Sequence, residues 1–161
     1  MNIQGKLNEI IPPNDYRHRS DFSNDHLIDD LDINEKEAVE SALIVMLTSI
    51  PEDLLIIKTL AYMGSKKALH EIENSLMKCK NNLQKVIIAS SIFKISSEYK
   101  MVDVAINSFN SINDDLDLAL LFHYLATFNN NRTDKIIKNY INHPNFIVSY
   151  NAKQALGMIQ E

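Results

Sequence analysis

The sequence predicts an all-α chain built as a solenoid of short helical hairpins. Two observations carry this prediction. Apolar residues keep helical spacing from Asn34 onward, and the same apolar columns return every 31 to 33 residues. Turn residues add a third: three glycines and four prolines, several of them set between the periodic segments.

The first helix is expected from Asn34, as N-cap, to Thr48 or Ser49. Glu35 and Glu37 lie in its positively polarised first turn, and Ala38, Val39, Ala42, Leu43, Val45, Met46 and Leu47 supply its apolar positions. Pro51, Glu52 and Asp53 suit the first turn of the next helix, whose apolar residues are Leu54, Ile57, Leu60 and Ala61. Gly64 ends that helix, and Ser65 caps another reaching about Cys79. Further helices are expected over Leu83 to Ile95, Lys100 to Phe109, Asp115 to Phe128, Thr133 to Ile141, and Asn145 to Ile159. Polar turn material separates them at Ser96-Ser97, Asn113-Asp114 and Asn129-Asn130-Asn131.

Residues 1–33 read differently, as an irregular acidic N-terminal cap. Pro12-Pro13-Asn14-Asp15 is a turn signal, and Tyr16-Arg17-His18-Arg19 lacks periodicity. Leu27, Ile28, Leu31 and Ile33 lie within an acidic stretch that could form one short helix or extended turn. Phe22 and Leu31 are the candidates for tucking onto the first helix. The remainder, 34–161, forms the solenoid domain.

The repeat rests on registers. Leu60, Ile92, Leu125 and Leu156 are separated by 32, 33 and 31 residues, and the same steps carry Met63 to Ile95, Phe128 and Ile159. They also carry Ile56 to Ile88, Leu121 and Ala152, while Ile72, Val104 and Ile137 mark the second helix of each pair. That spacing is the length of two short helices and their turns. One hairpin buries only part of its apolar surface, so positions facing the next must recur at the repeat period. An ordinary bundle of equally long helices remains the alternative.

The segment from Ile57 to Leu69, with Leu60, Gly64, Ala68 and Leu69 as its markers, resembles a degenerate HEAT repeat. The resemblance extends loosely over 51–159. It implies a right-handed α–α superhelix of three to four HEAT-like hairpins and carries over no catalytic residue. The second and third repeats depart from the pattern, having no glycine in the turn, and a regular aspartate and arginine ladder is missing.

Composition narrows the function. The 18 asparagines and 21 isoleucines suggest an A/T-rich coding sequence and say little about mechanism. Cys79 is the only cysteine, which excludes an intrachain disulfide and favours a cytoplasmic setting. Met1 to Ile11 has no signal-peptide pattern, and no apolar run is long enough to span a bilayer. The net charge of -5 falls in the first half: residues 1–80 hold 14 acids and 9 Lys/Arg, residues 81–161 hold 7 of each. Within 21–53, ten acids face one base, Lys36. Such a field repels nucleic-acid backbones and attracts basic surfaces.

Catalytic and cofactor motifs are not found. The sequence contains no His-Glu-x-x-His, no phosphate-cradling glycine loop and no paired-cysteine zinc spacing, so no cofactor, metal or enzymatic activity is expected. His123 lies in an apolar run and reads as a core or groove histidine. Cys79, at a helix C-terminus, is poorly placed for a thiolate. Asp114, Asp115 and Asp117 precede an apolar helix, where capping explains them. Some HEAT-like proteins resemble DNA-alkylation glycosylases, but Lys135, Lys138 and Lys153 make only a modest basic patch and tryptophan is absent.

The candidate functional region is therefore acidic: Asp25, Asp29, Asp30, Asp32, Glu35, Glu37 and Glu40, with Tyr16, Phe22 and Tyr62 as neighbouring anchors. Glu37 and Glu40 share an outward face, and Lys36 neutralises little. One reading is a solvated cap; the other is a dedicated binding surface. A small acidic helical-repeat chain also resembles several bacterial immunity proteins. That resemblance implies one-to-one occlusion of a basic nuclease toxin, with acids replacing nucleic-acid phosphates. A general adaptor and a repeat-type glycosylase or lyase subunit are the other functional readings.

Overall fold

The computed structural model describes residues 3–19 and 22–159. Met1, Asn2, Ser20, Asp21, Gln160 and Glu161, which belong to the expected cap and to the end of the expected solenoid domain, lie outside the described residues. The described residues form eleven α-helices and no strand. In order these are α1 (Ile3–Ile10), α2 (Tyr16–Arg19), α3 (Asp25–Asp29), α4 (Ile33–Ser49), α5 (Leu54–Tyr62), α6 (Leu69–Lys78), α7 (Asn82–Ser96), α8 (Lys100–Phe109), α9 (Asp115–Ala126), α10 (Asn131–Lys138) and α11 (Phe146–Ala155). A 3-10 turn, Lys66–Ala68, precedes α6. Among the described residues, no helix is long and apolar enough to cross a membrane. The chain divides into two compact units, 1–75 and 76–161, with the boundary inside α6.

In the first unit the expected N-caps shift. Asp32, not Asn34, starts α4: its carboxylate accepts from the Glu35 amide at 2.9 Å, and the Glu35 side chain accepts from the Asp32 amide at 3.2 Å. This reciprocal box satisfies two amides, where a lone asparagine cap would satisfy one. Pro51 and Glu52 form a turn outside α5 rather than its first turn. Asp53 caps that helix by accepting from the amides of Leu55 and Ile56. Gly64 ends α5 as expected, with φ of +65°, and Ser65 accepts from the Ala68 amide to start the 3-10 turn.

Residues 3–31, read from sequence as a mostly irregular cap, carry α1, α2 and α3. Leu7, Ile10, Ile11, Ile28 and Leu31 are buried, Phe22 is half-buried, and α1 packs against α3 and α4. Two polar ties hold this segment to α5. The Arg19 guanidinium donates two parallel hydrogen bonds to Asp53, at 2.7 and 2.9 Å, and Asp53 is only 3% exposed. The buried Asn24 side chain donates to the Ile10 carbonyl and to the Thr59 hydroxyl, whose own hydrogen goes to the Leu55 carbonyl. Both amide hydrogens of Asn24 and the hydroxyl hydrogen of Thr59 therefore have an acceptor.

In the second unit, α7 packs against α8 and α9, and α9 packs against α8, α10 and α11. Side chains of Asn81, Asp114, Asn130 and Asn145 cap α7, α9, α10 and α11. Asp114 thus has the capping role expected of its cluster. Phe109, Phe122 and Tyr140 meet with centroids 5.1 to 5.9 Å apart, joining α8, α9 and the turn after α10. Two helices stop three or more residues earlier than expected. Four residues of turn follow α10 from Asn139, and α11 ends at Ala155 because Gly157, at φ +66°, reverses the backbone. The Met158 amide then donates to the Lys153 carbonyl at 2.9 Å, closing that end.

The repeated columns coincide with buried positions in each unit. Ile56, Leu60 and Ile72 are fully buried in the first; Ile88, Ile92, Ile95, Leu121, Leu125, Phe128, Ile137 and Ala152 are buried in the second, whereas Met63, Val104, Leu156 and Ile159 are half-buried. The backbone repeats as well. Left-handed residues occur at Gly64, Ser97 and Asn129, steps of 33 and 32, so the turn persists where its glycine does not. The Cβ of either residue crowds the following carbonyl there, and asparagine tolerates this better than serine because its short amide side chain can hydrogen-bond locally.

Two outcomes are expected in urea unfolding. Asp53→Ala removes a cap and strands a mostly buried guanidinium, and should cost about 3 kcal/mol; Asp53→Asn, which keeps an acceptor, should cost less. Ser97→Gly relieves the left-handed strain and should stabilise by about 1 kcal/mol.

A candidate binding cleft in the first unit

α4 starts at Asp32, so Ile33, Lys36, Glu37 and Glu40 stand at helical spacing along one face. The end of α3 brings Ile28 and Asp29 beside that face, and the end of α5 brings Tyr62 and Met63. These eight residues line a cleft of about 260 Å³. Buried Ile28 and half-buried Met63 contribute its apolar part, and Ile33 is exposed at its edge.

The cleft contains four of the ten residues singled out from sequence: Asp29, Glu37, Glu40 and Tyr62. The Tyr62 hydroxyl donates to Asp29 at 2.9 Å, which holds the phenol above its usual pKa because ionising it would cost that bond and set two anions together. Glu40 is half-buried. Desolvation pushes its pKa up, but hydrogen bonds from Ser65 and Lys67 outweigh this and leave it below the ordinary carboxylate value. The Lys67 ammonium meets Glu40 at 2.9 Å and is itself raised by that bond.

The other six candidates lie outside the cleft lining. Asp32 and Glu35 form the capping box, and Glu35 also pairs with Lys6. The side-chain bond from Lys6, followed by the Asp32 amide, lowers the Glu35 pKa. Asp25 opens α3, Asp30 follows its end, and both are exposed. Tyr16 is 86% exposed at the start of α2, and Phe22 is half-buried between α2 and α3. Lys6 and Lys67, rather than Lys36 alone, neutralise the acidic stretch. They come from 29 and 27 residues away, and no local charge pattern pointed to them. Ile33 and Met63 were also passed over as site residues, although Met63 already stood in a repeat column.

A larger cleft, about 530 Å³, lies in the second unit between α9 and α11, lined by residues including Leu120, His123, Tyr124, Asn151 and Gln154. His123 is exposed there, in a groove rather than the core, and burial raises the neighbouring Tyr124 pKa. This lining has amide and apolar character without the carboxylates of the smaller cleft. Cys79 is half-buried at the end of α6, its thiol within reach of the Asn81 carbonyl and the Gln84 side chain. Among the described residues, no group of three His, Cys, Asp or Glu side chains is arranged to hold a metal ion.

No protein-family model, curated protein or solved structure matches the chain.

The lowered Glu35 pKa fixes the sign of one pH effect. A carboxyl depressed on folding stabilises the folded state above its unfolded value and loses that contribution as pH falls through the folded value. As pH falls below the ordinary carboxylate value of 4.5 the thermal midpoint should therefore fall, with a shallower slope in Glu35→Gln, as followed by circular dichroism.

Proposed function

We propose that this chain is a stoichiometric binding protein that holds a basic protein partner at the α3–α4–α5 cleft. The observation that carries this reading is the convergence of Asp29, Glu37, Glu40 and Tyr62 beside apolar Ile28, Ile33 and Met63. Interfaces gain affinity from a desolvated apolar centre and selectivity from charge around it, and this cleft has both.

Within that class, the specific proposal is an immunity protein that occludes a basic nuclease toxin. A nuclease must attract a phosphate backbone, so its substrate face is positively charged, and a protein presenting carboxylates on a folded scaffold competes for that face. Occlusion needs no catalysis, cofactor or metal from the binding protein. The excess of acids in the first half of the sequence supports the same partner and disfavours nucleic acid itself. The single cysteine suits a cytoplasmic setting, where a self-protecting inhibitor meets its toxin.

We also propose that the hairpins are HEAT-like repeats in a right-handed superhelix. The left-handed residues at 64, 97 and 129, in step with the apolar columns, support that finer description.

Replacing Asp29, Asp30 and Glu37 by lysine should slow association with the product of a neighbouring toxin gene at least about tenfold at low ionic strength. In stopped-flow measurements the wild-type rate should fall with added salt, and the variant's rate should depend on salt far less. An unchanged rate, with nuclease inhibition retained, would remove the acidic cleft from the mechanism.

A further inference from the structure

We infer that the α3–α4–α5 cleft seats one arginine side chain of the partner, with its guanidinium facing Asp29 and Glu37 and its stem against Ile33 and Met63. This rests on the binding function proposed above and specifies what the cleft recognises.

Size is the first constraint. At about 260 Å³ the cleft falls below the roughly 300–1,000 Å³ of sites that enclose whole small molecules, and it suits a single long side chain. Charge is the second. Three carboxylates, Asp29, Glu37 and Glu40, line the cleft together with the ammonium of Lys36, and Lys67 pairs with Glu40 from beside it. Three negative charges against two positive leave an acidic excess, to which Asp25 adds, since its charge also reaches the Tyr62 hydroxyl; the cleft therefore favours a cation.

The chemistry of the walls selects guanidinium over ammonium. Tyr62 is 42% exposed, leaving ring surface for a planar cation to cover, while its hydroxyl is engaged with Asp29. A guanidinium stacks on such a ring and still presents N–H groups in a fork to carboxylate oxygens; an ammonium is more strongly hydrated and lacks the flat face. Half-buried Met63 and exposed Ile33 offer apolar surface to the three methylenes of the stem, over buried Ile28.

The test uses the full chain, ¹⁵N-labelled, titrated with N-acetyl-arginine methylamide. Saturable shifts at Ile33, Glu37, Tyr62 and Met63, with millimolar dissociation, are expected. The citrulline analogue, equal in shape and uncharged, should bind at least about tenfold more weakly, and the lysine analogue at least about threefold more weakly. Glu37→Gln, at an exposed position, should weaken arginine binding about fivefold while leaving the circular dichroism spectrum unchanged. A silent cleft at about 50 mM probe, where a millimolar site would be nearly saturated, overturns the inference. Equal binding of citrulline overturns the electrostatic basis, and equal binding of lysine overturns the choice of arginine. A silent cleft combined with charge-dependent toxin association rejects only the arginine seat. Arginine binding combined with charge-independent toxin association rejects the proposed partner instead.

Discussion

The Arg19–Asp53 pair is the constraint on which the arrangement of the first unit depends. Asp53 is nearly removed from water, so its charge is tolerable only because a guanidinium and two helix amides share it. One carboxylate thereby performs two tasks: it starts α5 and anchors the chain segment that leads into α3. Arg19 also donates to the Pro12 carbonyl, so the turn after α1 is held by the same side chain. Asn24 adds a second tie, between Ile10 and Thr59, one turn before α3 reaches Asp29. Asp29 and Tyr62 can meet because both ends of that path are fixed.

The acidic residues separate into two kinds once their partners are known. Asp32, Glu35 and Asp53 satisfy helix amides, and two of them also neutralise a basic side chain. Glu40 is half-buried and tied to Lys67. Glu37 and Asp29 remain at the cleft, the latter holding a phenol in place. A net charge computed along the chain treats all of these alike. The folded protein does not, because a carboxylate already hydrogen-bonded within its own fold has less to offer a partner and costs more to disturb.

Helix starts and stops were legible where the chemistry was local. Gly64, Ser65, Asp114 and Asn145 act within three or four residues of themselves, and the structure places them in the turns and caps expected of them. Asp32 was overlooked as a cap because the residue that completes its box, Glu35, also reads as an ordinary first-turn acid. The end of α11 was missed because Gly157 sits among apolar and helix-compatible residues. The helices α1 and α2 have no readable period, and α3 is legible only as a short helix or extended turn near Leu27 and Ile28. The reason is length: four to eight residues give about two turns at most, too few for a face to repeat.

By itself the sequence determined that the chain is helical, that its apolar columns return at 31 to 33 residues, and that its negative charge gathers before residue 54. These follow from local periodicity and composition, which need no knowledge of distant neighbours. Only the tertiary structure decided which acids are engaged, since Lys6 and Lys67 reach Glu35 and Glu40 across nearly thirty residues. It alone made a cleft from α3, α4 and the end of α5, and turned residues 3–31 from a cap in name into part of a core. The physical reason is that burial and ion pairing are properties of surfaces brought together by the fold, and no spacing along the chain encodes them singly.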